Sequence, residues 1–202
     1  RLERIDQYAA WGVRLGMLTW NEENQLACGA GGDPDRGLTP LGREAVRRMQ
    51  ARGILPDVSH TSDRSFWDIL KLAEGPVVAS HSNCRALCDV RRNLTDEQLR
   101  AIRDTGGVIG VNVYHGFVHA EPRMQTAAML ARHAAHIAET IGPEHVACGF
   151  DFCEYFGPGN EGCEGMENCA QTGNFFFELE RLGFSAAERQ GIASENLLRV
   201  LE

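Results

Sequence analysis

The sequence predicts an α/β fold, and three observations carry that prediction. Five short apolar runs recur at intervals of roughly 25–40 residues, each followed by a helical pattern. Several of the runs are continuously apolar, as parallel strands buried on both faces must be. Chemically active side chains stand at the C-terminal ends of these runs: His60, His81, Asn112 with Tyr114, and Asp151. Barrels carry their active sites at that face. An open doubly wound sheet and part of an eight-stranded barrel both satisfy the pattern. No G-x-G-x-x-G follows the first run, which argues against the dinucleotide-binding version. A complete barrel has eight strands in typically ~250 residues; here there are five runs in 202 residues, read as one domain over 1–202.

The elements follow in order. RLERIDQYAAW reads as the end of a helix, and VRLGMLT at 13–19 as the first strand. The long loop WNEENQLACGAGGDPDRG is polar and Gly-rich, as functional loops are. Thr39-Pro40 opens a helix over 40–52, with Thr as N-cap and Pro in the first turn. Ala45, Val46 and Met49 form its inward face, and Gly53 ends it. The second strand, 54–59, ends in Ser59-His60. Ser62 or Asp63 caps the next helix, which carries Phe66, Ile69, Leu70 and Ala73 at helical spacing. Gly75-Pro76 stops it, and the third strand, 77–80, runs into His81. Thr95-Asp96-Glu97-Gln98 has the form of a capping box. Gly106-Gly107 ends that helix before the fourth strand, 108–113. A helix is expected over 123–141, a fifth strand over 146–150 ending at Asp151, and helices near 172–182, 185–192 and 194–201.

Composition excludes several functions. With 43% hydrophobic and 24% charged residues the chain is an ordinary globular one. A net charge of −8 with no basic stripe argues against nucleic-acid binding. No apolar run approaches the ~18–20 residues of a membrane span. Neither end reads as a signal or lipidation segment. The seven cysteines are expected as reduced thiols, and a cytoplasmic location with them. Cys153, Cys163 and Cys169 cluster without C-x-x-C spacing, which disfavours a structural zinc site. The chain begins at Arg1 rather than Met, so its original N-terminus is expected upstream.

Two histidines delivered by neighbouring strand ends to one mouth read as half of a metal site, since neutral imidazole is a common zinc ligand. Hydrogen-bonded core histidines are the bland alternative for His60 and His81. Asp151 is a further candidate, as ligand or as the base that orients a water; otherwise it is a loop carboxylate. Arg91-Arg92 could clamp a substrate carboxylate with a bidentate fork; a solvated pair is the default. His115, His119, His133, His136 and His145 are assigned to the surface, with His115, near a strand end, as the one exception.

The segments DVSHTSDRSFWDIL, PVVASHSNCRALCDVRRNLTDEQLRAI, GGVIGVNVY and GFDF resemble the membrane (renal) dipeptidase family of zinc peptidases. VRLGMLTWNEEN, GLTPLGREAV and SENLLRVLE extend the likeness over essentially the whole chain. The resemblance implies a distorted (β/α)8 barrel, of which this chain would supply the fourth to eighth strands. It implies two zinc ions and hydrolysis of dipeptides, including some with a D-residue at the C-terminal side. It makes His60 and His81 ligands of one zinc, Arg92 the group that binds the substrate's terminal carboxylate, and Asp151 the acid beside the bridging water, involved in proton transfer or in substrate binding. It also implies an H-x-D pair and a bridging glutamate. No H-x-D occurs in these 202 residues, so a missing N-terminal segment is expected as partner, with a homodimer as a further state. Trp20 occupies a position where many family members have a substrate-contacting histidine; Asn21, Glu22 or Asn24 could contribute instead. Phe152-Cys153-Glu154 replaces the usual continuation of Asp-Phe-Asp-Gly. The rival readings are a catalytically incomplete relative that binds peptide or a single metal, and another metal-dependent amidohydrolase.

Overall fold

The computed structural model describes residues 2–202. β1 (Leu15–Met17) pairs in parallel with β2 (Leu55–Asp57), from Leu15↔Leu55 to Met17↔Asp57. The segment 77–79 continues the series through single parallel bridges, Asp57↔Val78 on one side and Ala79↔Ile109 on the other. β3 (Ile109–Asn112) and β4 (Val146–Phe150) follow, parallel again from Ile109↔Val146. Every neighbour is parallel and the strands lie in chain order, so their C-terminal ends share one face.

Nine α-helices connect or flank the strands among the described residues: α1 (Glu3–Ala10), α2 (Pro40–Ala51), α3 (Asp63–Leu70), α4 (Asp96–Asp104), α5 (His115–Val118), α6 (Ala127–Ile141), α7 (Thr172–Arg181), α8 (Ala186–Gln190) and α9 (Asn196–Leu201). Their starts are chemically marked. Thr39 accepts the amide of Gly42, Ser62 that of Ser65, and Thr126 that of Met129. Thr95 and Gln98 form the reciprocal capping box that their spacing predicts. Each such cap contributes about 1 kcal/mol. Val77, Ala79, Ile109, Val111 and Val146 of the strands are fully buried against Leu99, Ile102, Leu130, Ile137 and Leu179 of the helices. Side chains of this size stabilise by roughly 1.5–3 kcal/mol each when buried. None of the described helices is long and apolar enough to cross a membrane.

Three expectations need correction. The run at 77–80 makes bridges rather than a full strand, because the Ser80 amide donates to the Asp57 side chain instead of to a neighbouring backbone. The helix expected from 123 starts at Ala127, where Thr126 caps it; a 3-10 turn, Pro122–Met124, precedes it. His133 and His145 are buried, not on the surface. His133 lies on the inward face of α6 with Leu130, Ala134 and Ile137, at helical spacing. His145 is held by a bond from its Nδ1 to the Gly107 carbonyl.

Candidate active site

The C-terminal mouth is assembled from the ends of β2, the 77–79 segment, β3 and β4. The chain turns sharply there: His60, Phe150 and Asp151 have φ of 71°, 49° and 63°, left-handed values uncommon outside glycine. Gly110 of β3 and Gly149 of β4 form the floor under the 80–81 peptide. A Cβ at either position would collide with the Ser80 carbonyl oxygen, so only glycine lets this strand end sit so low.

His60 and His81 come together, with ring centroids 4.9 Å apart and planes at 64°. Each is held through Nδ1. The Asn21 amide oxygen lies 2.9 Å from His60 Nδ1 and accepts its proton. Ser80 Oγ lies 2.7 Å from His81 Nδ1. Because an amide oxygen only accepts, His60 Nε2 is left with its lone pair, the tautomer that binds a metal; the Ser80 hydroxyl can either donate to His81 Nδ1 or accept from it. His81 Nε2 is buried and has no hydrogen-bond partner. A buried, unpaired polar atom costs about 1–3 kcal/mol, and a ligand would remove that cost.

Burial disfavours the imidazolium form of both rings. The His60 pKa falls to about 3, through burial first and then through the charge of Arg92 and His81. His81 is lowered by burial and then by Arg92, with Asp151 and Asp57 opposing. Both rings are therefore neutral, as metal ligands must be.

Arg92 is only 9% exposed. Its guanidinium lies 5.2 Å above the Phe117 ring, and its Nη2 donates weakly to the His81 carbonyl at 3.4 Å. Its Nε has no partner. Burial lowers its pKa to about 10, so it remains a cation. Asp151 completes the group: its Oδ2 lies 4.0 Å from His81 Nε2 and accepts from Asn112 Nδ2 at 3.3 Å. Asn112 is positioned in turn by Asn83, which accepts the Asn112 amide and donates to its carbonyl.

Trp20 stands at the rim, 67% exposed, with its ring 6.1 Å from that of His60. Asn24 turns away to bond the Leu18 carbonyl and its own loop. Arg91 donates to the Gly32 carbonyl, outside the group. The Tyr114 ring packs against His115 and Phe117. Cys153 touches the site, its Sγ 3.8 Å from Asp151 Oδ1. Sequence reasoning named both histidines but missed their supports: Asn21 as the anchor of His60, and Asp57 and Ser59 beneath His81. The one local signal was Ser80 before His81, whose hydroxyl meets the ring of the next residue; Ser59 bonds the His81 amide rather than His60, and Asn21 and Asp57 act across the chain.

The site offers a metal two imidazole nitrogens and a nearby carboxylate. That fits part of a zinc shell, which takes four ligands in a closed site and three protein ligands in a catalytic one. No group of three His, Cys, Asp or Glu side chains converges as a complete site among the described residues.

The family model described as membrane dipeptidase (peptidase family M19) matches residues 1–202. The chain belongs to this family. An uncharacterised protein from the pqqA 5′ region of Klebsiella pneumoniae is 42% identical over 157 residues, covering 73% of this chain and 58% of its own length. An uncharacterised dipeptidase of Schizosaccharomyces pombe is 34% identical over 203 residues, covering 97% of this chain and 48% of its own. A metallopeptidase from Rhodobacter sphaeroides, crystallised with a phosphinate mimic of the dipeptide L-Ala-D-Ala, superposes with a TM-score of 0.87 at 27% identity. That match covers 98% of this chain and 58% of the metallopeptidase. The M19 chain described here thus spans about half the length of the curated relatives it matches.

Proposed function

We propose that this M19 chain carries one half of the active site of a zinc-dependent dipeptidase. The observation that carries the reading is the pair of neutral imidazoles aimed by Nε2 into one mouth, beside a buried guanidinium with an unpaired nitrogen. On this reading the five parallel segments are the fourth to eighth strands of a (β/α)8 barrel. The remaining ligands, an H-x-D pair and a bridging glutamate, would come from polypeptide outside this chain.

His60 and His81 would hold one zinc ion. When bound, the metal supplies Lewis acidity that activates water and polarises the peptide carbonyl. Arg92 binds the free C-terminal carboxylate of the dipeptide. Its fork is pre-oriented by the Phe117 face, so little freedom is lost on binding. Asp151, steadied by Asn112, takes the proton from the attacking water and returns it to the leaving amine. The water oxygen joins the carbonyl carbon as the C–N bond breaks, so the proton balance closes on one carboxylate. Trp20, exposed beside His60 at the rim of the mouth, would meet the substrate's side chain.

The test measures zinc content and the hydrolysis of L-Ala-D-Ala and L,L-dipeptides by the intact protein. Bound zinc with turnover, and much slower turnover of the matching dipeptide amides, is expected. Amides cleaved as fast as free dipeptides would overturn the role of Arg92. Zinc-free protein without turnover would favour a peptide-binding relative.

A further inference from the structure

Beneath the mouth, Asp57 is 2% exposed yet carries a full set of hydrogen bonds. Its Oδ1 accepts two backbone amides, Ser59 N and Ser80 N, each at 3.0 Å. Its Oδ2 accepts from the Ser80 hydroxyl. A carboxylate only accepts, so the Ser80 proton points to Asp57. Ser80 Oγ must then be an acceptor toward His81, and His81 Nδ1 carries the proton across that 2.7 Å contact. Ser59 adds a second hold, its Oγ accepting the His81 backbone amide at 3.0 Å.

We infer that Asp57, acting through Ser80, is a positioning pair that locks His81 in the Nδ1–H tautomer and so presents Nε2 as a lone pair. The inference rests on the reading of His81 as a metal ligand, but its chemical core is a property of the metal-free protein. His60 lacks such a device; a neutral amide, Asn21, does the work there. The chain of dependence from carboxylate to hydroxyl to imidazole makes a directional prediction. In Asp57→Asn, the two backbone amides keep the side-chain oxygen where Oδ1 was. The new NH2 then faces Ser80 Oγ and donates to it. The Ser80 hydroxyl turns its proton toward His81 Nδ1, at 2.7 Å a much nearer acceptor than Ser59 Oγ at 3.4 Å, and the ring's own proton moves to Nε2. One isosteric substitution thus inverts the tautomer without touching the histidine.

Long-range 1H–15N spectra of the imidazoles in the metal-free intact protein read the tautomer directly, at a pH where the rings are neutral. The wild type is expected to show His81 as Nδ1–H and Asp57→Asn to show it as Nε2–H. Ser80→Ala should release the preference, and Ser80→Thr, which restores a hydroxyl, should recover it. Zinc affinity, measured by competition with a chelator, is expected to fall about 10–100-fold in Asp57→Asn and Ser80→Ala and to return in Ser80→Thr. An Nε2–H His81 in the wild type would overturn the inference, whether or not any variant folds. So would a tautomer unmoved by Ser80→Ala. A tautomer that shifts as expected while zinc affinity stays unchanged would support the relay and overturn the ligand role of His81 on which it was hung.

Discussion

His81 and His133 are both buried imidazoles, and the difference between them shows what distinguishes a working side chain from a structural one. His133, fully buried in α6, uses both ring nitrogens: Nδ1 accepts the Cys84 amide, and Nε2–H donates to the Val118 carbonyl. His81 uses one and leaves Nε2 buried without a partner. Burial alone therefore does not mark a site. An unpaired nitrogen inside the protein does, because folding alone gives no reason to keep it. Arg92 obeys the same rule, with an orphaned Nε in a side chain that is almost fully enclosed.

The sharpest way to break this contrast is to delete each imidazole. His81→Ala should reduce zinc content and dipeptide turnover to background, while the melting temperature of the metal-free protein moves by only a few degrees. His133→Ala should do the reverse. It strands the Cys84 amide and the Val118 carbonyl and opens a cavity, at a cost of about 3 kcal/mol. For a chain of this size that is a fall of roughly 6–12 °C in Tm, with zinc still bound to the folded fraction. Equal stability losses in the two variants would abolish the distinction.

Acid probes instead what the buried rings share, since burial lowers the pKa of His60 and His81 as well as that of His133. Burial lowers the His133 pKa from 6.5 to about 4, so the folded state keeps this ring neutral where the unfolded chain takes up a proton. The unfolded state binds more protons between those values, and stability therefore rises with pH across the window and is lost as pH falls from about 6.5 toward 4. The loss reaches at most about 3 kcal/mol. Denaturant midpoints measured across this range should show it, and His133→Gln should make the slope shallower while the contributions of His60 and His81 remain.

Arg92→Ala should raise KM for dipeptides by about 30-fold, the equivalent of ~2 kcal/mol for hydrogen bonds to a charged group, with a smaller change in kcat. Arg92→Lys should recover only part of it, since an ammonium lacks the fork. Steady-state kinetics with free dipeptides decides this. The smallest effect is expected at Asn21. Asn21→Ala frees the His60 ring but leaves no charge behind, and zinc affinity measured by chelator competition should fall about tenfold.

Much of this was legible in advance, for identifiable reasons. The helix starts at Thr39, Ser62 and Thr95 were readable because a cap is a local bond between neighbours in sequence. His60, His81 and Asp151 were readable because parallel strands in chain order bring their ends to one face. The support beneath them was not. Asn21 reaches His60 across 39 residues and Asp57 reaches Ser80 across 23, contacts that no periodicity encodes. His133 was misplaced because histidine carries little hydrophobic weight. Its inward position shows only in the spacing it shares with Leu130 and Ile137.

The left-handed backbone at the mouth limits which sequences can occupy it. A non-glycine residue in that region costs about 1–2 kcal/mol, and Asp and Asn bear it best because their short side chains bond locally. A library at position 151, where φ is 63°, should therefore return Asp, Asn and Gly among its folded members and lose Val and Ile whatever chemistry they bring. Asp151→Asn keeps both shape and backbone, so it removes the charge and one acceptor oxygen, the NH2 that replaces it facing either the Asn112 amide or the Cys153 thiol.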